Sequence, residues 1–175
     1  MYDRILVPID GSSTSTRGLD EAIRLGKLTR GTIRLMHVLD ELVFVTGFES
    51  GATYLDDVLP KLKERGERIL AEGKARVEAA GVPVETVLSE CFATRTSAMV
   101  VAQADEWKAD LIVIGTHGRK GLSRALLGSD AEQVVRLAKV PVLLVRAEEV
   151  AAGEGHAATA GSAVKPAAQV AAAIV

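Results

Sequence analysis

Residues 110–129, "DLIVIGTHGRKGLSRALLGS", decide the fold, because they join a short apolar run to a long glycine-containing turn and a helix start. The run 110–115 is nearly continuous in apolar side chains, as in strands buried on both faces of a parallel sheet. Gly128 and Ser129 then precede an apolar stripe with helical spacing, and serine is a common residue at a helix start. Strand, turn and helix in this order indicate one unit of an α/β fold.

The same unit recurs along the chain. Further predicted strands lie at 4–9, 32–39, 82–88 and 140–145. Helical patterns separate them, at 19–26, at 59–80, at 95–107 and at 131–138, where Ala131, Val134, Val135 and Ala138 form the stripe. Helix starts are expected at Ser12 or Ser13 and at Ser129, as N-cap residues. Strands that alternate with helices predict an α/β sandwich with right-handed crossovers, whereas strand order does not follow from this pattern.

Composition limits the function classes. The 175 residues suit one domain, and a net charge of −2 with a pI of about 6.0 argues against broad binding to nucleic acid or to anionic membranes. The single Cys91 excludes an internal disulfide, and no apolar run approaches the roughly 20 residues of a membrane span. The start "MYDRILVPID" does not have the pattern of a signal peptide. We therefore expect a cytoplasmic protein without membrane insertion.

Two segments depart from the repeating pattern. Residues 40–56 form a long connection, and such connections often act as lids or responsive loops. Residues 147–175 are rich in alanine and glycine, which predicts a flexible tail. The expected domain is therefore 1–146.

The glycine turn predicts a phosphate site, although its spacing fits neither the P-loop nor the dinucleotide loop. Gly115 would let a ligand approach the strand end, while Gly118 and Gly121 permit positive φ, so that backbone N–H groups can converge on an anion. The helix start at Gly128 and Ser129 adds free N–H groups and a positive dipole end. Nearby cationic side chains are Arg119, Lys120 and Arg124. The alternative interpretation is a loop whose glycines only serve tight turns.

Asp10 lies at the end of the first strand, in "VPIDGS". Its carboxylate suits ribose hydroxyls or a divalent cation, and it equally suits a cap on the first helix. His37 and His117 lie at strand ends, but neither has a nucleophile or carboxylate at a recognisable catalytic spacing. No catalytic residue is therefore assigned.

The spacing Gly115-x-x-Gly118-x9-Gly128-Ser129 resembles the G-x-x-G-x9-G-S/T motif of the universal stress protein family. The stretches "ILVPIDGS", "HVLD" and "VPVLLVR" stand at the family's places and in its order, so the resemblance covers residues 1–146. It implies a three-layer sandwich around a five-stranded parallel sheet in the order 3-2-1-4-5, the adenine nucleotide alpha hydrolase-like fold.

The resemblance also implies that ATP, or ADP or AMP, lies over the ends of strands 1 and 4. Pro8, Ile9 and Asp10 would line the adenosine, and Val38 would offer a backbone contact to adenine. Ribose and phosphates would be held by Gly115, Thr116, Gly118, Arg119, Gly128, Ser129 and Asp130. Magnesium or manganese is the metal expected beside the phosphates, with Asp10 as a candidate ligand.

Asp130 is a departure, since nucleotide-binding relatives often carry Val or Thr after the Gly-Ser pair. An acid in the first turn favours the helix dipole. The other interpretations are that Asp130 repels a triphosphate or helps to hold its metal.

The last strand, Val140 to Arg146, is apolar on both faces and is expected at a sheet edge, which needs a partner or a cover. The family resemblance implies a homodimer through this strand. The predicted function is a nucleotide-dependent regulatory dimer in a stress response, with an unidentified protein partner as a further expectation. The alternatives are a slow ATPase or phosphotransferase and a nucleotide-independent interaction module.

Overall fold

The structure is a computed structural model that describes residues 1–40, 58–91, 94–116 and 127–146. All five strands run parallel in one sheet with the order β3-β2-β1-β4-β5, which confirms the predicted fold class. The elements are β1 (Arg4–Pro8), α1 (Ser13–Thr29), β2 (Thr32–Asp40), α2 (Leu59–Ala79), β3 (Val84–Cys91), α3 (Thr96–Trp107), β4 (Leu111–Gly115), α4 (Ser129–Leu137) and β5 (Val142–Val145). The expected loop at 40–56, apart from Asp40 itself, and the expected tail at 147–175 lie outside the described residues.

Two apolar cores lie on the two faces of the sheet, because successive side chains of a strand point to opposite faces. Ile5 and Val7 of β1 belong to the core beneath α1 and α2. Leu6, which lies between them, belongs to the core beneath α3 and α4. Both faces of the central strands are covered, and this is why their sequences are nearly continuous in apolar residues.

The helix starts differ in how they are capped. Ser12 is the N-cap of α1, as expected, and its Oγ accepts a hydrogen bond from the Ser15 N–H at 3.1 Å. The expectation that Ser129 caps α4 is wrong, since the N-cap is Gly128 and Ser129 is the first helical residue. Val135 was expected in the buried stripe but is 45% exposed, because the short α4 turns only Ala131 and Val134 fully into the core.

None of the helices in the described part of the chain is both long enough and apolar enough to cross a membrane.

Candidate functional site

The sheet opens between β1 and β4 at the carboxyl ends of these two strands. The ladder between β1 and β4 comprises only the pairs Ile5–Leu111 and Leu6–Ile112. In contrast, β1 stays paired with β2 as far as Pro8, and β4 stays paired with β5 as far as Gly115. The helix after β1 packs on one face and the helix after β4 on the other, so this opening is the point where strand order reverses. Open α/β sheets bind ligands at such a crevice.

Asp10 lies on the β1 side of this crevice, two residues before the cap of α1. Its Oδ1 accepts a hydrogen bond from the Ser12 N–H at 2.9 Å, and its own N–H donates to Ser15 Oγ at 3.4 Å. Gly11 between them has φ +78°, a conformation that glycine adopts without strain. The interpretation of Asp10 as the helix cap is therefore wrong. Its carboxylate belongs to a turn at the end of β1.

Ile9, beside Asp10, is held by two consecutive residues of β2. Its N–H donates to the Met36 carbonyl at 2.8 Å, and its carbonyl oxygen lies 2.7 Å from His37 Nδ1. His37 is only 3% exposed. We assigned it no role from the sequence, although a polar residue within the apolar run 32–39 should have been expected to need a buried hydrogen-bond partner.

Val38 and Pro8 lie at the carboxyl ends of neighbouring strands. Pro8 is the last residue of β1 and pairs with Met36, whereas Val38 lies two residues further along β2. β2 therefore extends past the end of β1. Val38 is buried and Pro8 is half-buried.

Thr116 connects the β4 side of the crevice to the start of α4. Its N–H donates to the Val145 carbonyl at 2.9 Å, and its own carbonyl accepts from the Gly128 N–H at 2.8 Å. The two ends of the glycine turn are thus brought together, with Gly115 and Thr116 at one end and Gly128 and Ser129 at the other. Gly118 and Arg119 lie outside the described residues.

Gly115 has a packing reason to be glycine besides the role expected from the sequence. A Cβ at this position would lie 2.9 Å from Thr14 Cγ2 and 3.0 Å from the carbonyl atoms of Thr14. The requirement for glycine therefore comes from the close packing of α1 on β4. The expected role in ligand approach stays a prediction.

The start of α4 lies beside this site, because the Gly128 N–H is bonded to the Thr116 carbonyl. Gly128 has φ −61° and ψ 145°, an ordinary extended conformation, and glycine has no side chain that could accept from the first N–H groups of the helix. Ser129 and Asp130 are exposed. Glu132 pairs with Arg136 at 2.8 Å, one turn further along the helix.

Asp10 is the carboxylate that we expected to contact a metal at this site. Within residues 1–40, 58–91, 94–116 and 127–146, no group of three or more His, Cys, Asp or Glu side chains could hold a metal ion. Asp10 offers one carboxylate, and Mg²⁺ commonly combines one or two carboxylates with phosphate oxygens. The residues present thus fit a metal that arrives with phosphates.

The sequence profile of the Universal stress protein family matches residues 1–146. This chain belongs to the universal stress protein family. It is 37% identical over 146 residues to universal stress protein MJ0531 of Methanocaldococcus jannaschii, and the match covers 83% of each chain. The family predicted from the glycine spacing is confirmed.

Solved structures of universal stress proteins and related chains share the fold. The structure of hypothetical protein MJ0577 superposes with a TM-score of 0.75 at 27% identity and covers 85% of this chain and 99% of that one. A universal stress protein solved in complex with cAMP has a TM-score of 0.59 at 26% identity, over 83% of this chain and 97% of its own.

Proposed function

We propose that this universal stress protein binds an adenine nucleotide, ATP foremost, across the carboxyl ends of β1 and β4. The observation that carries the proposal is the opening between these strands beyond Leu6 and Ile112, with Asp10 on one side and the Gly128 start of α4 on the other. The relative in complex with cAMP supports the adenine nucleotide class.

The two sides of the crevice suit different parts of a nucleotide. On the β1 side, Pro8 and Ile9 would line the base and the Val38 backbone would contact it, and the Asp10 carboxylate suits the ribose hydroxyls. On the β4 side, phosphates would approach the first N–H groups of α4, where the helix dipole favours negative charge. Gly115, Thr116 and Ser129 would also contact the ribose and phosphates. The family motif adds Gly118 and Arg119 to this group.

We place Asp130 and the metal on the β4 side of the crevice, with the phosphates. Asp130 is exposed in the first turn of α4, where an acid stabilises the helix through its dipole, and we assign it this role. Magnesium or manganese would accompany the phosphates and complete its coordination with Asp10.

The functional unit of this proposal is a cytoplasmic homodimer of the domain 1–146, with 147–175 as an appended tail. Occupancy of the site would regulate a stress response through a protein partner. Such regulation requires the nucleotide to bind two conformations with different affinity, and residues 40–56 are the segment we assign to this change.

The ligand content of freshly purified protein, measured by mass spectrometry after denaturation, tests the proposal directly. We expect an adenine nucleotide. Calorimetry with ATP, ADP, AMP and cAMP, with and without Mg²⁺, then ranks the ligands. Asp10→Asn should weaken binding at least about tenfold, because a hydrogen bond to a charged group is worth roughly 1.5–3 kcal/mol.

Asp20→Asn is the matched control, because Asp20 is a carboxylate of α1 that pairs with Arg76 at 2.8 Å, about two turns beyond the start of the helix. It should bind nucleotide as the parent does. Two outcomes would replace the proposal. ATP turnover well above one event per bound ATP, abolished by Asp10→Asn, would make the protein an enzyme. Protein that carries no nucleotide and shows no thermal shift with ATP and Mg²⁺ would be a nucleotide-independent interaction module.

A further inference from the structure

The ring of His37 is buried directly beneath the end of β1. Its Nδ1 lies 2.7 Å from the carbonyl oxygen of Ile9, and the side chain is 3% exposed. A carbonyl oxygen can only accept, so the geometry requires the proton to be on Nδ1. His37 therefore donates a short hydrogen bond into the backbone that leads to Asp10.

This bond orients the peptide unit that carries Asp10. The peptide group is planar, so the carbonyl of Ile9 and the N–H of Asp10 are fixed together. The N–H of Asp10 reaches Ser15 Oγ at 3.4 Å, which is long for a hydrogen bond. The 2.7 Å contact to His37 is thus the stronger restraint on this peptide unit.

The ring is in turn held in place by α2. A Cβ at Gly66 would lie 2.9 Å from His37 Cδ2 and 2.7 Å from Leu88 Cδ1, so the helix backbone packs closely over the ring. Met36, the preceding residue of β2, binds the N–H of Ile9 at 2.8 Å. Both peptide groups of Ile9 are therefore anchored to β2.

We propose that His37 is a positioning residue of the nucleotide site, which preorganises the Asp10 carboxylate for the ribose through the Ile9 carbonyl. The proposal rests on the proposed function. Preorganisation of this kind raises affinity because the ligand does not have to order the group that it binds.

The test compares His37→Asn with His37→Leu and His37→Gln. The Asn amide can place a donor near the position of Nδ1, whereas Leu has no donor and the Gln amide reaches instead to the position of Nε2. Calorimetry with ATP should show that H37L and H37Q bind about tenfold more weakly than the parent, and that H37N stays within about threefold. Urea unfolding of each variant separates affinity from stability, and H37Q serves if H37L does not fold.

A double-mutant cycle with Asp10→Asn identifies the route of the effect. If His37 acts through the Asp10 carboxylate, H37L should weaken binding less than about threefold in the D10N background. An equal loss in both backgrounds, or H37L that binds as tightly as the parent, overturns the proposal.

Hydrogen exchange tests the positioning role of His37 independently of nucleotide binding, because the measurement needs no ligand. The amide of Asp10 should exchange at least about tenfold faster in H37L and H37Q than in the parent and H37N, since loss of the restraint opens the turn. If the parent binds no nucleotide, the proposed function fails, and the exchange rates still decide whether His37 positions Asp10. Equal exchange in all four proteins would refute the positioning role.

Discussion

At the scale of single residues, two glycines face each other at the contact between α1 and β4. Gly18 of α1 lies against β4, where an added Cβ would be 3.5 Å from the Gly115 N, an ordinary van der Waals distance. An added Cβ at Gly115 would instead meet the Thr14 backbone at 3.0 Å. The two positions face each other, yet only one of them has room for a methyl group.

We predict opposite effects on stability at this contact. Gly115→Ala should lower the free energy of unfolding by about 1–3 kcal/mol, because the backbone of α1 cannot yield to the methyl group as a flexible side chain would. Gly18→Ala should raise it by roughly 0.5–1 kcal/mol, since alanine favours the helix and fits the space. Urea unfolding of both variants measures the difference. Changes of the same sign would contradict this account of the contact.

At the scale of the element, α4 begins at a glycine, and no capping hydrogen bond from a side chain is found there among the described residues. Its N-cap is glycine, whereas α1 begins with Ser12, whose hydroxyl accepts from the Ser15 N–H. The conformation at Gly128 has negative φ, so other residues could adopt it without strain. Backbone conformation therefore does not require the glycine, and we attribute it to the space that the missing side chain would leave for phosphates.

Gly128→Asp should stabilise the helix and weaken nucleotide binding. An Asp at the N-cap accepts from the first free N–H groups and should raise the free energy of unfolding by about 0.3 kcal/mol. The same side chain occupies the phosphate position with negative charge, and ATP affinity should fall at least about tenfold. Thermal unfolding and calorimetry on one preparation measure both quantities.

Gly128→Asn is the control, because it caps equally well but carries no charge. It should lose less affinity than Gly128→Asp, and the difference measures the electrostatic part. If Gly128→Asp binds ATP as tightly as the parent, phosphates do not approach the start of α4.

At the scale of the whole molecule, β5 lies at the edge of the sheet, as expected. The carbonyls of Pro141 and Val145 accept from the N–H groups of Ile112 and Thr116. The alternation of a parallel ladder therefore directs the backbone groups of Val142 and Leu144 outward. Leu144 is 36% exposed, and the neighbouring α4 exposes Val135 and Leu137. An apolar edge of this kind suits antiparallel pairing with a second copy in a closed dimer.

Leu144→Lys should shift the protein from dimer to monomer in analytical ultracentrifugation. In such a dimer, Leu144→Lys would place a charge opposite its own copy across the two-fold axis, where like charges repel. Leu28→Lys is the control, since Leu28 is 81% exposed on α1 and belongs to another surface. A parent that sediments as a monomer, or an L144K variant that remains a dimer, would remove β5 from the interface.

The sequence predicted best those features in which one local rule dominates. The apolar run 110–115 predicted a buried strand because both faces of a central strand are covered, and the spacing of glycines identified the family. It failed for Ser129 and Val135, because helix phase and cap position depend on where α4 docks and not on residue type. It assigned no role to His37, whose partner is 28 residues away in the chain.

The sequence by itself determined the α/β class, the family and the places of Asp10 and the glycine turn, because periodicity and spacing are local properties of the chain. Only the tertiary structure decided that β1 and β4 separate beyond Leu6, and that a Cβ at Gly115 would clash with Thr14. It also decided that His37 holds the carbonyl of Ile9. These contacts join residues far apart in sequence, and they exist only once burial of both sheet faces has fixed how the helices pack.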